Sequence, residues 1–236
     1  MDKHGNQVAA KARRLLAELH DELVGMGRPP DSVTLVAISK TFGIDTIIAA
    51  AQSGLMDFGE NRVQEAKNKI PEVLRTCQCR WHLVGHLQTN KAKDAVTLFD
   101  LIQSVDSFEL AQALDHRAGL IGKRQEVLIQ VNTTAEPQKS GCDPAALDDL
   151  VEGIVRLAHL RLVGLMTIGP FVDDPGPITS AFRLLRREFD RLASHDLRGG
   201  AMHHCSMGMT DDWRIALAEG STMLRIGRAI FGERSM

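Results

Sequence analysis

The 236-residue chain contains no tyrosine, and aromatic residues make up only 4% of it. Any chemistry that needs a tyrosyl acid or base from this chain is thereby excluded. No window holds 18 uninterrupted apolar residues, so no stretch reads as a membrane span. The opening Met1-Asp2-Lys3-His4-Gly5-Asn6 is polar and lacks the apolar core of a secretory signal. Charge of one sign is missing as well. Lys+Arg of 28 against Asp+Glu of 30 leaves −2, so no overall field recruits nucleic acid or anionic lipid. Cysteine is sparse: Cys77, Cys79, Cys142 and Cys205 are scattered, and Cys77-x-Cys79 has no second pair at zinc-finger spacing. The expectation is reduced thiols in a cytoplasmic protein.

What is present is a globular composition, 44% hydrophobic and 25% charged. Short β-rich runs alternate with helical stretches from end to end. Apolar residues at helical spacing (Val8, Ala12, Leu15, Leu16, Leu19, Leu23) predict a helix over 6–26, stopped by Gly25, Gly27, Pro29 and Pro30. Strands are predicted at 33–39, 55–58, 81–85, within 98–105, and at 127–132, 162–168, 203–207 and 223–226. The seventh of these is the least typical. Helices are predicted over 44–53, from 62 to about 70, and over 107–122, 144–160 and 178–194. Eight β units in this length, with no linker or composition break, predict one α/β domain over 1–236. That domain is a (β/α)8 TIM barrel with helix 6–26 packed outside it. No G-x-G-x-x-G follows the first strand, which weakens the dinucleotide-binding alternative.

Barrel active sites are built from the loops at the carboxyl ends of the strands. The strand map therefore singles out Lys40, Asn61, His86, Ser104, Asp106, Asn132, Thr167, Ser206, Arg225 and Gly227. Lys40 directly follows an apolar strand, where desolvation favours the neutral amine that condenses with aldehydes. A solvated lysine capping the strand accounts for the same position. Ser206-Met207-Gly208-Met209-Thr210 and Gly227 lie after strands seven and eight, where barrels bind phosphate through main-chain N–H groups. An ordinary turn explains them as well. Taken together, the two elements ask for a ligand with an aldehyde at one end and a phosphate at the other. Pyridoxal 5′-phosphate (PLP) fits, and so does a sugar phosphate held by a Schiff-base aldolase.

Several longer motifs narrow the choice. They include Val36-Ala37-Ile38-Ser39-Lys40-Thr41, Phe58-Gly59-Glu60-Asn61-Arg62-Val63-Gln64-Glu65 and the run from Trp81 to Lys91. Further along come Val131-Asn132 with Lys139-Ser140-Gly141, Leu165-Met166-Thr167-Ile168, Ser206-Met207-Gly208-Met209 and Arg225-Ile226-Gly227. In these motifs, nearly end to end, the chain resembles the YggS/PROSC family of pyridoxal phosphate homeostasis proteins. The resemblance implies a barrel like the N-terminal domain of alanine racemase, with PLP held as a Schiff base on Lys40. It places Asn61 in the cofactor pocket and Met166 on its wall. Ser206, Met207, Ile226 and Gly227 would approach the phosphate, and Arg225 would face the pyridine nitrogen. A guanidinium there disfavours protonation of the ring and makes it a poorer electron sink. The racemases of this barrel add a catalytic tyrosine from a second domain, and this chain has no tyrosine. The implied role is reversible PLP binding in vitamin B6 homeostasis without substantial turnover. The alternative is a PLP-dependent amino-acid racemase or related enzyme. PLP-requiring apo-enzymes are the partners such a carrier would serve, and the resemblance implies a cytoplasmic monomer.

The chain departs from the family pattern at two places. Arg228 stands where many members have Thr, and His204-Cys205 is less apolar than the usual approach to Ser206. Other residues are read more simply. Trp81 and His82 are expected in packing and rim, Glu60 as a helix-start carboxylate, and Lys139 as a solvated surface lysine. Arg183, Arg186 and Arg187 are expected on a solvated helix face, and no metal is expected at His203 and His204.

Overall fold

The eight apolar runs become eight parallel strands in a computed structural model that describes residues 3–134, 136, 139–194 and 201–233. They are β1 (Thr34–Ile38), β2 (Asp57–Glu60), β3 (Arg80–Leu83), β4 (Leu101–Val105), β5 (Gln125–Gln130), β6 (Leu160–Met166), β7 (His204–Ser206) and β8 (Met223–Ile226). They are joined in sequential order, and β8 returns to β1 with Val36 beside Arg225, which closes the barrel. The helices are α1 (Lys3–Gly25), α2 (Ile44–Ala51), α3 (Val63–Leu74), α4 (Ala92–Leu98), α5 (Phe108–Leu120), α6 (Leu147–Val155), α7 (Pro175–Ala193), α8 (Trp213–Ala218) and α9 (Arg228–Phe231). The TIM-barrel reading therefore holds.

Strand alternation sorts the side chains into two layers. Leu35, Ala37, Phe58, Trp81, Leu83, Ile102, Val127, Ile129, Cys205, Leu224 and Ile226 point outward into a core shared with the helices. Val36, Ile38, Leu101, Leu128, Val163, Met166 and Met223 point inward and fill the lumen. Phe58 and Trp81, with ring centroids 5.5 Å apart, anchor the outer layer beneath β2 and β3. Burying each large apolar side chain of this kind stabilises the fold by about 2 kcal/mol. Helix α1 lies outside the barrel against α2 and α9, with Val8, Ala12, Leu15, Leu19 and Leu23 buried. Their 3–4 residue spacing leaves the other face in water.

Two helices between strands escape the sequence reading, α4 and α8. At seven and six residues they are too short to show an apolar period. The seventh strand is trimmed to three residues. The longer helices begin where local chemistry starts them. The Ser107 hydroxyl accepts from Leu110 N–H at the start of α5, and Asp174 accepts from Gly176 N–H, with Pro175 opening α7.

Candidate functional site

The carboxyl ends of β1, β2, β3 and β8 converge because the main chain approaches unusually closely there. Lys40 lies two residues beyond Ile38 and is half-buried. A Cβ added to Gly227 would stand 3.4 Å from the Ile38 main-chain oxygen, so the turn after β8 runs beside Ser39 and Lys40. On the other side, a Cβ on Gly85 would lie 2.3 Å from the Asn61 oxygen, a contact only glycine permits. Lys40, Asn61 and Gly227 thus border one mouth.

The chain on both sides of Lys40 is clamped from α3. Lys69 Nζ donates to the Ser39 oxygen (3.1 Å) and to Glu60 Oε1 (3.2 Å), and pairs with Glu65. Glu60 Oε1 also accepts from the Ser39 hydroxyl at 2.7 Å, and Glu65 Oε1 accepts from Thr41 N–H at 2.6 Å. Thr41 sits at φ 72°, a left-handed conformation costly for a β-branched residue, and the Glu65 bond helps hold it there. Glu60 corrects the sequence reading: it is the last residue of β2 and fully buried, rather than a helix-start carboxylate. Burial pushes its carboxyl above the usual range, against the opposing pull of Ser39 and Lys69.

Arg225 points into the lumen, 5% exposed, and donates from Nη1 to Ser206 Oγ (2.7 Å) and from Nη2 to the Thr167 oxygen (2.6 Å). Burial lowers its guanidinium to about 10, against the pull of Asp212 and Cys205. Asp212 is itself raised by burial while it accepts from Met209 N–H at 2.5 Å. Ser206, expected to approach the phosphate, is fully buried and gives its proton to Gln103 Oε1 at 2.7 Å. Met207 and Ile226 turn their side chains into the outer core, which leaves only their main chain on the site side. Met166 lines the lumen. Gly208 holds φ +97°, and a Cβ there would meet Ala216 at 2.6 Å and Leu224 at 2.8 Å. The turn after β7 requires glycine.

One further residue differs from expectation. Lys139 is half-buried, pairs with Glu136 (2.6 Å), donates to the Gly169 oxygen (3.3 Å) and stands over the Phe171 ring. Arg228 is exposed and turned to Asp211, with Glu233 3.9 Å away. Arg183 and Arg186 pair with Glu219 and Asp190 on a solvated face, as read from the sequence. His86 stays exposed, 3.6 Å from Asp106. Among the described residues, no three His, Cys, Asp or Glu side chains group as a metal set. Burial pushes the Cys142 and Cys205 thiols up to about 12, so neither is a ready nucleophile. No helix among the described residues is long and apolar enough to cross a membrane.

The sequence reading missed Lys69, Glu65 and Gln103. Gln103 carried a signal: in Leu101-Ile102-Gln103-Ser104-Val105 it shares the inward parity of Leu101. The site offers an amine at β1, a buried cation at β8 and close main chain between them. That is a donor set suited to an aldehyde-bearing, phosphorylated aromatic ring, and PLP fits it.

Comparison with known proteins agrees. Residues 25–235 match the family model of the alanine racemase N-terminal domain. The chain is 38% identical to the pyridoxal phosphate homeostasis protein of Aquifex aeolicus, covering 94% of this chain and 96% of that one. A crystal structure of an unknown protein from Bifidobacterium adolescentis superposes with a TM-score of 0.92 at 36% identity, covering 98% and 97% of the two chains. PipY of Synechococcus elongatus, solved with PLP bound, superposes at 0.80 and 36% identity, covering 91% of this chain and all of that one. Alanine racemase of Corynebacterium glutamicum shares only 14% identity at a TM-score of 0.69, and the match covers 62% of its length. That likeness extends to the fold alone. On sequence and structure together, this chain belongs to the alanine racemase N-terminal-domain family, among the pyridoxal phosphate homeostasis proteins.

Proposed function

We propose that this protein holds PLP reversibly at the mouth of its barrel and serves cofactor homeostasis rather than high-turnover catalysis. The observation that carries this reading is the half-buried Lys40, clamped on both flanks and set beside the Gly227 turn, with Arg225 in the lumen below. Bound PLP supplies an electrophilic aldehyde and an electron-withdrawing ring. Lys40 would take the aldehyde, Asn61 and Met166 would bound the ring, and the phosphate would approach the main chain around Ser206, Met207, Ile226 and Gly227. Arg225 would face the ring nitrogen and, as a cation, would disfavour a proton there, which would weaken carbanion stabilisation. With no tyrosine in the chain, a racemase has no tyrosyl partner for Lys40. The protein works as a cytoplasmic monomer, and PLP-requiring apo-enzymes receive its cargo.

The test is a visible absorbance spectrum of the protein with added PLP, repeated after borohydride and in Lys40→Ala. A yellow band that borohydride fixes onto Lys40, and that the variant lacks, supports the reading. Amino-acid turnover at rates comparable to dedicated racemases would overturn the carrier role, and a colourless protein that takes up no PLP would overturn the binding role.

A further inference from the structure

Five polar side chains inside the barrel form a continuous chain of hydrogen bonds across five strands. Arg225 Nη1 donates to Ser206 Oγ (2.7 Å), and Ser206 Oγ donates to Gln103 Oε1 (2.7 Å). Gln103 Nε2 donates to His82 Nδ1 (2.9 Å), and His82 Nε2 donates to Asp57 Oδ1 (2.9 Å). Arg225, Ser206, Gln103 and His82 are all buried, and Asp57 opens β2 at the far end of the barrel.

With the Gln103 amide placed as it stands, the direction of every proton in this chain follows. A guanidinium can only donate, so Ser206 Oγ accepts from it and has one proton left to give. That proton goes to Gln103 Oε1, which turns the amide nitrogen toward His82. The imidazole then accepts at Nδ1 and carries its proton on Nε2, facing a carboxylate that can only accept. A cation at one end and an anion at the other polarise each bond in the same sense. With the amide reversed, Ser206 would meet two donors and its own proton would have to turn toward the site.

The chain also answers a need of Arg225. Among the described residues, its Nη groups reach only a hydroxyl and a main-chain carbonyl, weaker acceptors than a carboxylate. Polarisation from Asp57 through His82 and Gln103 makes the Ser206 oxygen a stronger acceptor. If packing were the only task, branched hydrocarbon such as Leu101, Leu128 and Val163 would fill these positions at less cost.

We propose that Gln103 and His82 are positioning residues of the cofactor site, aiming Arg225 through Ser206, so that PLP binding is felt at the His82 imidazole. This rests on the PLP-binding reading above. The groups around His82 are Asp57 on β2, to which Arg80 on β3 also reaches with its partner Glu126 on β5, Gln103 on β4, and His204 on β7, with His203 next to it.

The experiment is long-range ¹H–¹⁵N NMR of the histidine-labelled protein with and without PLP, with His82 assigned through His82→Gln. In the free protein His82 should carry its proton on Nε2, and both ring nitrogens should shift when PLP is added. Gln103→Leu should still take up PLP on Lys40, about tenfold more weakly, the scale of one hydrogen bond to a charged group, and His82 should no longer respond. Gln103→Glu restores the acceptor for Ser206 and presents a carboxylate to Nδ1. His82 should then hold a second proton, and affinity should return to within about threefold of the parent. A merely structural role predicts the reverse order, because Glu buries a charge where Leu buries none. If Gln103→Leu fails to fold, Gln103→Met takes its place. A proton on Nδ1 in the free protein, or PLP uptake that leaves His82 unmoved, removes the positioning role and leaves the carrier function standing. A parent protein that takes up no PLP removes both.

Discussion

Lys69 reaches from α3 to the main-chain oxygen of Ser39, 3.1 Å away and one residue before Lys40. The same ammonium compensates Glu60, whose carboxyl is fully buried. Removing one partner of such a group leaves an uncompensated charge. Lys69→Met should therefore cost about 3–5 kcal/mol in urea unfolding at neutral pH. The deficit should shrink on acidification, because a protonated Glu60 needs no countercharge. Adding Glu60→Gln should recover part of the loss at neutral pH.

His204 lies half-buried near His82, Arg80 and His203, and burial foremost lowers its imidazole from 6.5 to about 4. Between those values the unfolded chain binds a proton that the folded chain does not, so stability rises with pH across the window. The contribution is full above pH 6.5 and lost as pH falls toward 4. Its upper size is ~3 kcal/mol at 1.36 kcal/mol per unit. Denaturant unfolding between pH 4 and 7 should show this slope, and His204→Gln should flatten it.

Gly208→Ala places a methyl group against Ala216 and Leu224 at a φ that L side chains rarely adopt. The expected loss is about 2–5 kcal/mol, read as a lower denaturant midpoint with an unchanged slope.

Arg228 spends its guanidinium on exposed carboxylates. Arg228→Thr should change stability by no more than about 1 kcal/mol, since exposed pairs contribute little. On the proposed function, the new hydroxyl at the first residue of α9 should tighten PLP binding by about fivefold. A fluorescence titration of the two proteins side by side checks it.

The barrel was legible because its strands are continuous apolar runs such as Leu35-Val36-Ala37-Ile38, which need no partner to be seen. Lys40, Asn61 and Gly227 were legible by position, as residues that follow strands. Glu60 and Lys139 were misread because their neighbours arrive from elsewhere in the chain: Lys69 from α3, and Gly169 from the turn after β6. Gln103 went unnoticed for a related reason. An inward glutamine acquires meaning only once β3 and β7 are known to stand beside and across from it. The side chains of Met207 and Ile226 face outward, an outcome of strand parity that motif matching does not register.

The one-way order of protons from Arg225 to Asp57 also constrains how this sequence can drift. Replacing a member with a side chain that cannot hydrogen-bond strands a donor or an acceptor in the lumen, a loss of about 1–3 kcal/mol before any effect on the ligand. Compensation has to come from another strand, because the partners lie on β2, β3, β4, β7 and β8. Residues separated by as many as 168 positions are therefore expected to change together, so a descendant that abandons one of them should have rewritten its neighbours in the same lineage.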